Sequence, residues 1–269
     1  MDLSWIKITE MVNIVEMAAQ LILQVYIGSF EVIEKDDKSP LTLADKKAND
    51  YICAELKSLY PEIPIISEEN KNDDYETRKN YTFCWLVDPL DGTKEFIKRN
   101  GQFTVNIGLS YLGKPVAGFV NIPCSMETYF AVSGKGAFYR ENGGETIRIT
   151  DLRDGRDSEI TRVIASNSHL NEETRRLIAS MGKVELKNVG SSIKILWIAE
   201  NKADIYPRIA PTMEWDTCAT HAILNEVGGV ILKYPELEEE LTYNKSNLLN
   251  PFFIAQMSNS TKTPKWSDG

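Results

Sequence analysis

The stretch Trp85-Leu86-Val87-Asp88-Pro89-Leu90-Asp91-Gly92-Thr93-Lys94-Glu95 carries the pattern from which the rest of the chain is read. With Phe83 and Cys84 ahead of it, Trp85-Leu86-Val87 forms a short continuous apolar run, the pattern of a buried strand. The strand is predicted to stop at Asp88, because Pro89 fixes one backbone dihedral and cannot donate to a ladder. Asp91 follows at the expected N-cap of a short helix over 93–99, which Asn100-Gly101 would end. Two carboxylates held by one tight turn can bridge a pair of divalent cations about 3.5–4 Å apart. The N–H groups of Gly92 and Thr93 would point out of the helix start, where an anion binds, and Gly92 lets a phosphate approach the backbone. The same residues also suit a purely structural turn, with Asp91 as cap and Asp88 in an Asx turn.

Other acids sit at the ends of expected elements. Ile63-Pro64-Ile65-Ile66 reads as a short strand that ends at Ser67-Glu68-Glu69. A helix fits 42–60, with Thr42 near its start, Asp45 in its first turn, and Pro61 and Pro64 beyond its end. Asp216 follows Trp215 at the start of a helix over 214–227. Asp45 could equally be a capping residue alone. Acids at four element ends together favour chemistry over four unrelated caps.

Composition narrows that chemistry. A chain of 269 residues makes one large domain or two ordinary ones, and 42% apolar with 26% charged residues suits a globular core. Thirty basic against 39 acidic residues leave a net charge of −9, which argues against a nucleic-acid binder. The two histidines, His169 and His221, form no HExxH motif and cannot supply a three-histidine zinc site. Cys53, Cys84, Cys124 and Cys218 form no CxxC pair and read as buried or half-buried thiols in a reducing cytoplasm. A metal here would take oxygen ligands, which points to a hard cation such as Mg2+. Residues 3–30 read as one amphipathic helix. Glu10, Glu16, Gln20 and Gln24 interrupt its apolar run, so no membrane-spanning segment is expected.

Along the chain, 70–80 reads as a polar loop and 103–112 with 115–122 as paired strands. Glu127–Val132 and Gly136–Arg140 read as a hairpin. Residues 146–160 are polar and are taken as a boundary between an α+β half (1–155) and an α/β half (156–257). In the second half, strands at 163–166, 184–189, 204–206 and 229–232 alternate with helices at 171–181, 192–201 and 214–227. Residues 258–269 are expected to fray.

In order, Thr42/Asp45, Ser67-Glu68-Glu69, Asp88-Pro89-Leu90-Asp91-Gly92-Thr93 and Trp215-Asp216-x-x-Ala219 resemble the inositol monophosphatase superfamily of Mg2+-dependent, lithium-sensitive phosphatases. The resemblance runs over roughly residues 5–256. Within that superfamily the chain is most similar to the CysQ-type 3'(2'),5'-bisphosphate nucleotidases. Lys94-Glu95-Phe96 stands where inositol phosphatases usually carry Thr-x-Asn-Phe. Phe103-Thr104-Val105-Asn106-Ile107-Gly108, Ser166-x-Ser168-His169, Gly190-Ser191-Ser192-x-Lys194 and Tyr206-Pro207-Arg208 also fit.

The resemblance implies a layered α/β/α/β/α fold with its site in the cleft between the two halves. It implies that Glu68, Asp88, Asp91, Asp216 and the Leu90 carbonyl bind two or three Mg2+ ions. Glu69 and Thr42 are left outside the set. Asp45 and Thr93 would orient the attacking water, with Asp45 as general base. Glu68, Leu90, Asp91, Gly92, Thr93 and Asp216 would face the scissile phosphate. His169, Ser191, Lys194 and Arg208 match positions that contact the nucleotide, where Lys and Arg suit a second phosphate. Lys194 as a solvated helix residue and His169 as a helix-entry cap remain alternatives. His221 reads as structural.

The implied reaction removes the 3'-phosphate of adenosine 3',5'-bisphosphate, giving AMP and phosphate, and extends to 3'-phosphoadenylyl sulfate. The alternatives are an inositol monophosphatase or broader sugar phosphatase and, more remotely, a non-catalytic nucleotide-binding protein. The expected partner is a small nucleotide, and no nucleic acid. The expected location is the cytoplasm. Peripheral contact with the inner face of the cell membrane stays open, as does the choice between monomer and homodimer.

Overall fold

The structure is a computed structural model, and it describes residues 1–28, 32–34, 40–153, 159–165, 171–258 and 260. Helix α1 (Ile8–Ile27) buries Met11, Ile14, Val15, Ala18, Ile22 and Val25, spaced to form one apolar face. The expected helix began at residue 3, but Leu3 and Ile6 are buried ahead of the first turn. By length and hydropathy α1 is apolar enough to cross a bilayer, yet this face is packed in the core. The short pair β1 (Val32–Glu34) and β2 (Pro40–Thr42) leads into α2 (Leu43–Leu59), whose N-cap is Thr42. Next come β3 (Ile65–Ser67) and α3 (Tyr75–Arg78). The expected polar loop at 70–80 thus contains one helical turn. Asp74 caps it, and buried Arg78 anchors it by donating to the carbonyls of Asp73, Lys245 and Ser246.

Strand β4 (Phe83–Asp91) does not stop at Asp88 but runs on through Pro89 to Asp91. Its pairing with β5 (Thr104–Tyr111) slips between Asp88↔Asn106 and Asp91↔Thr104. Pro89 lies inside that irregularity, where the ladder has no need of the N–H that proline lacks. Helix α4 is the single turn Thr93–Ile97, shorter than the expected 93–99. Its N-cap is Gly92, in the left-handed region at φ 94°, and not Asp91, which closes the strand. A five-residue helix has little dipole to offer an anion.

Strands β6 (Lys114–Ile122), β7 (Glu127–Val132), β8 (Gly136–Glu141) and β9 (Ile147–Arg148) extend a seven-stranded sheet in the order β3-β4-β5-β6-β7-β8-β9. A 3-10 turn over Ile149–Leu152 tucks Ile149 into the core, so the polar segment from 146 is partly structural. The second sheet has the order β11-β10-β12-β14-β13, from β10 (Thr161–Ala165), β11 (Val184–Asn188), β12 (Ile205–Arg208), β13 (Gly229–Lys233) and β14 (Phe253–Met257). Helices α5 (Glu172–Ala179), α6 (Ile193–Ala199) and α7 (Glu214–Glu226) complete the chain. Strand β14 has no counterpart among the sequence expectations. A short, mostly apolar stretch such as Phe253-Ile254-Ala255-Gln256-Met257 fits strand or helix equally by periodicity. Here it is a strand because it pairs antiparallel with both β12 and β13. Phe30, His169 and most of the expected frayed tail lie outside the described residues.

Alternation along β4 builds the layers. Trp85 and Val87 join the core with α1 and α2, while Cys84 and Leu86 join the core with α6 and α7. The opposite face of α6 and α7 meets Ile164, Tyr206, Ile231, Phe253 and Ala255 of the second sheet. That sheet's outer face, through Val163, Ile205 and Ile254, covers Leu177 of α5. The order is α/β/α/β/α, as the resemblance implied. Three of the expected buried thiols, Cys53, Cys84 and Cys218, are buried, and Cys124 is exposed.

Helix α7 seats on the first sheet at two glycines. A Cβ on Gly118 would lie 2.0 Å from the Ala219 carbonyl oxygen, and one on Gly108 would lie 2.7 Å from Ala219 N. No side chain fits either gap. Gly118→Ala is expected to cost at least the upper part of the ~1–3 kcal/mol overpacking range, read as a lower urea midpoint or loss of folded protein.

His221 is wholly buried within α7. Its Nδ1 lies 2.9 Å from the Tyr243 hydroxyl and its Nε2 lies 3.0 Å from Glu240 Oε2. Burial lowers the imidazole pKa below its ordinary 6.5, and the Glu240 hydrogen bond only partly opposes this. A neutral ring with its proton on Nε2 satisfies both partners. Below about pH 6.5 the unfolded chain therefore takes up a proton that the folded chain refuses. Stability contributed by His221 is full above that pH and falls as pH drops, by at most ~1.4 kcal/mol per pH unit. Urea melts between pH 7 and 5.5 should show wild-type stability falling relative to His221→Gln as pH drops, because the raised site acids are common to both proteins and cancel in the difference.

Candidate functional site

Parallel pairing of β3 with β4 sets Ser67 beside Val87, and Glu68 N donates to the Val87 carbonyl at 3.1 Å. Glu68 and Asp88 thus leave the sheet side by side at one edge. Asp88 is buried, and its Oδ1 accepts from Leu90 N at 3.0 Å. Asp45 and Asp216 reach the same region from two helices and use the same device. Each is the third residue of its helix, and each accepts from its own N-cap N–H through Oδ2, from Thr42 at 2.7 Å and from Met213 at 2.9 Å. Capping and site roles are therefore not alternatives for these residues. The second oxygen of Asp45, Oδ1, accepts from Thr93 Oγ1 at 3.2 Å, and Thr93 Oγ1 also lies 3.3 Å from the Leu90 carbonyl.

A cleft of about 920 Å³, counting its open mouth, lies against these groups. Glu68, Asp91, Gly92, Thr93, Ser191, Lys194, Arg208 and Asp216 line it, all expected from the sequence. Asp45, Asp88 and Leu90 do not line it. They are buried behind its wall, with Asp45 linked to it through Thr93. The sequence missed Gly190, Ser192, Tyr206, Thr212 and Thr217 as lining residues, and gave Lys94 and Glu95 no role although it had singled out their motif. Tyr206 and Thr217 each sit within two residues of an expected site residue. The flanks of a motif were the available signal.

Lys194 is almost fully buried, so it is not a solvated helix residue. Its Nζ donates to the Ser191 carbonyl at 2.6 Å and sits 5.5 Å from the centre of the Tyr206 ring. Burial lowers its pKa to about 8, against the attraction of Asp91. Arg208 Nη2 donates to the Pro211 carbonyl at 2.7 Å, while its buried Nε has no protein partner.

The acids are strained electrostatically. Burial, then repulsion from Glu68, Asp91 and Asp216, raises Asp88 well above the usual carboxylate range. Burial, then Asp91 and Glu68, does the same to Asp216. Burial raises Asp91 to about 6, even with Lys194 and the Ser192 N–H opposing it. Buried acids that repel one another are what a divalent cation neutralises, and an all-oxygen donor set suits Mg2+. Among the described residues, however, no three acidic, histidine or cysteine side chains already converge tightly enough to grip one ion.

Thr93→Val keeps the volume of the side chain and removes the hydroxyl shared by Asp45 and Leu90. The buried Asp45 Oδ1 then loses its donor, so the variant should lose ~1–3 kcal/mol of stability, read as a lower urea midpoint.

The sequence pattern of the inositol monophosphatase family matches residues 6–258, and the chain belongs to that family. It is 41% identical over 238 residues to the 3'(2'),5'-bisphosphate nucleotidase CysQ of Salmonella typhimurium, covering 88% of this chain and 94% of that protein. The crystal structure of CysQ from Bacteroides thetaiotaomicron aligns with a TM-score of 0.82 at 43% identity, covering 94% of this chain and 97% of that one. Inositol monophosphatase-II from Staphylococcus aureus shares the fold, with a TM-score of 0.68 at 22% identity over 91% of this chain and 88% of that one.

Proposed function

We propose that the chain is a Mg2+-dependent 3'(2'),5'-bisphosphate nucleotidase that hydrolyses adenosine 3',5'-bisphosphate to AMP and phosphate, and also accepts 3'-phosphoadenylyl sulfate. The observation that carries this reading is the division of charge in one cleft, with Glu68, Asp91 and Asp216 among its acids and Lys194 and Arg208 among its bases. A substrate with one phosphate needs the cation end alone. A substrate with two anionic groups also needs placed cations, and the names of the relatives agree.

Glu68, Asp88, Asp91 and Asp216, with the Leu90 carbonyl, would hold two or three Mg2+ ions. When bound, Mg2+ supplies charge neutralisation for the phosphoryl oxygens and acidifies nearby water. The chain's own residues do the rest by positioning. Thr93 Oγ1 can accept from the attacking water while it donates to Asp45 Oδ1. Asp45 Oδ2 is committed to the α2 cap, so Oδ1 is the oxygen left to receive the proton. Burial raises the Asp45 pKa, which makes it a better base. Lys194 and the unpartnered Arg208 Nε would hold the second anionic group. Four cysteines without disulfides suit a reducing cytoplasm.

Phosphate release at fixed Mg2+ should favour adenosine 3',5'-bisphosphate over inositol 1-phosphate. The reverse preference would replace this reading with an inositol or sugar phosphatase. Lys194→Met should lower kcat/KM for the bisphosphate by ~10–100-fold more than for a monophosphate substrate, the worth of one charged hydrogen bond. Asp88→Asn should fold and lose most turnover on every substrate.

A further inference from the structure

We propose that Thr104, Asn106 and Ser192 form a positioning clasp that sets Asp91 for cation binding and ties it to the segment carrying Ser191 and Lys194. The inference rests on the metal-phosphatase reading above and concerns residues to which that reading gives no role.

Ser192 Oγ lies 2.8 Å from Thr104 Oγ1 and 2.8 Å from Asn106 Oδ1, and Asn106 Nδ2 lies 3.1 Å from Thr104 Oγ1. One proton arrangement satisfies all three. Ser192 donates to Asn106, Asn106 donates to Thr104, and Thr104 donates to Ser192. The ring is closed and almost wholly out of water, with Thr104 and Asn106 at 0% exposure and Ser192 at 4%. Three apolar side chains of similar size would pack here without the desolvation penalty that polar groups carry. What a polar ring adds is a fixed distance and direction.

What it fixes is the contact between two separate parts of the chain. Thr104 and Asn106 pair directly with Asp91 and Asp88 across the β4–β5 irregularity. Ser192 belongs to the stretch that enters α6. Ser191 there takes φ 48°, a left-handed turn that a side chain rarely adopts, and the ring bonds Ser192 to Thr104, the strand partner of Asp91. Gly190 N donates to Gln102 Oε1 at 2.8 Å, a second tie between the same two segments. A Cβ on Gly190 would lie 2.7 Å from the Gln102 carbonyl, so the approach is close throughout. Without the ring, the pairing of Asp91 with Thr104 loses the buried bonds that hold it against the start of α6.

The test reads Mg2+ binding without turnover, as the rise in melting temperature of substrate-free protein titrated with Mg2+. Ser192→Ala and Thr104→Val should each weaken the apparent Mg2+ affinity by ~10–100-fold, the usual effect of removing a group that orients a metal ligand. The double variant should be little worse than either, because one broken link opens the ring. Thr104→Ser should retain wild-type affinity. Thr128→Val is the structural control. Its buried hydroxyl donates to Glu16 and accepts from Asn121 elsewhere in the sheet, so this variant should lose stability with an unchanged Mg2+ midpoint. Mg2+ midpoints within twofold of wild type in Ser192→Ala or in Thr104→Val would overturn the clasp, and either variant alone suffices. Wild-type protein that shows no Mg2+-dependent shift would instead overturn the metal reading itself.

Discussion

Helix α7 lies against the first sheet with backbone touching backbone. At Gly118 and Gly108 the gap to Ala219 has room for hydrogen and nothing larger. That contact sets the depth at which α7 sits, and Asp216 projects from its first turn. The same sheet presents Asp88 and Asp91 from β4, and Glu68 just past the end of the neighbouring parallel strand. The spacing of the acids is thus set by how closely a helix can approach a sheet. Much of the remaining architecture holds that approach in place: α6 packs beside α7, and the second sheet closes over both.

Within this frame, the carboxylates are oriented by elementary secondary-structure chemistry. Asp45 and Asp216 each give one oxygen to a helix N-terminus and keep the other. A capping bond fixes the side-chain rotamer without filling its remaining lone pairs, which orients a charged group inside a low-dielectric wall. Asp88 is held by the N–H of Leu90 in the same manner. The electrostatic strain of the acids is therefore borne by local backbone bonds that form whenever the helices and the turn form.

Much of this was legible in the sequence. The run from Trp85 to Glu95 identified a buried strand followed by a turn with two acids, and the helix starts at Thr42 and Glu214 carried recognisable signals. The errors have physical causes. Proline usually ends a strand, but a bulge accommodates Pro89, so β4 runs three residues past its expected stop at Asp88. Gly92, not Asp91, caps α4, because only the strand pairing of Asp91 with Thr104 decides where the strand ends. Strand β14 depends on partners distant in sequence, and no local pattern supplies those. The same holds for the cleft. Single residues such as Lys194 were readable from motifs, while the Thr104–Asn106–Ser192 ring exists only after two segments meet.

Helices α6 and α7 have a further property. They are covered on both sides, by the first sheet and by the second, and nearly every residue of α6 is buried. They behave as a shared lamina between two plates. The cleft opens where both helices begin, at Ser191–Lys194 and at Asp216–Thr217. A molecule seated there rests on the edge of the lamina and is braced by both plates at once. Both cores therefore border the same edge, and a residue of either sheet that packs on α6 or α7 is one side chain away from an element that lines the cleft.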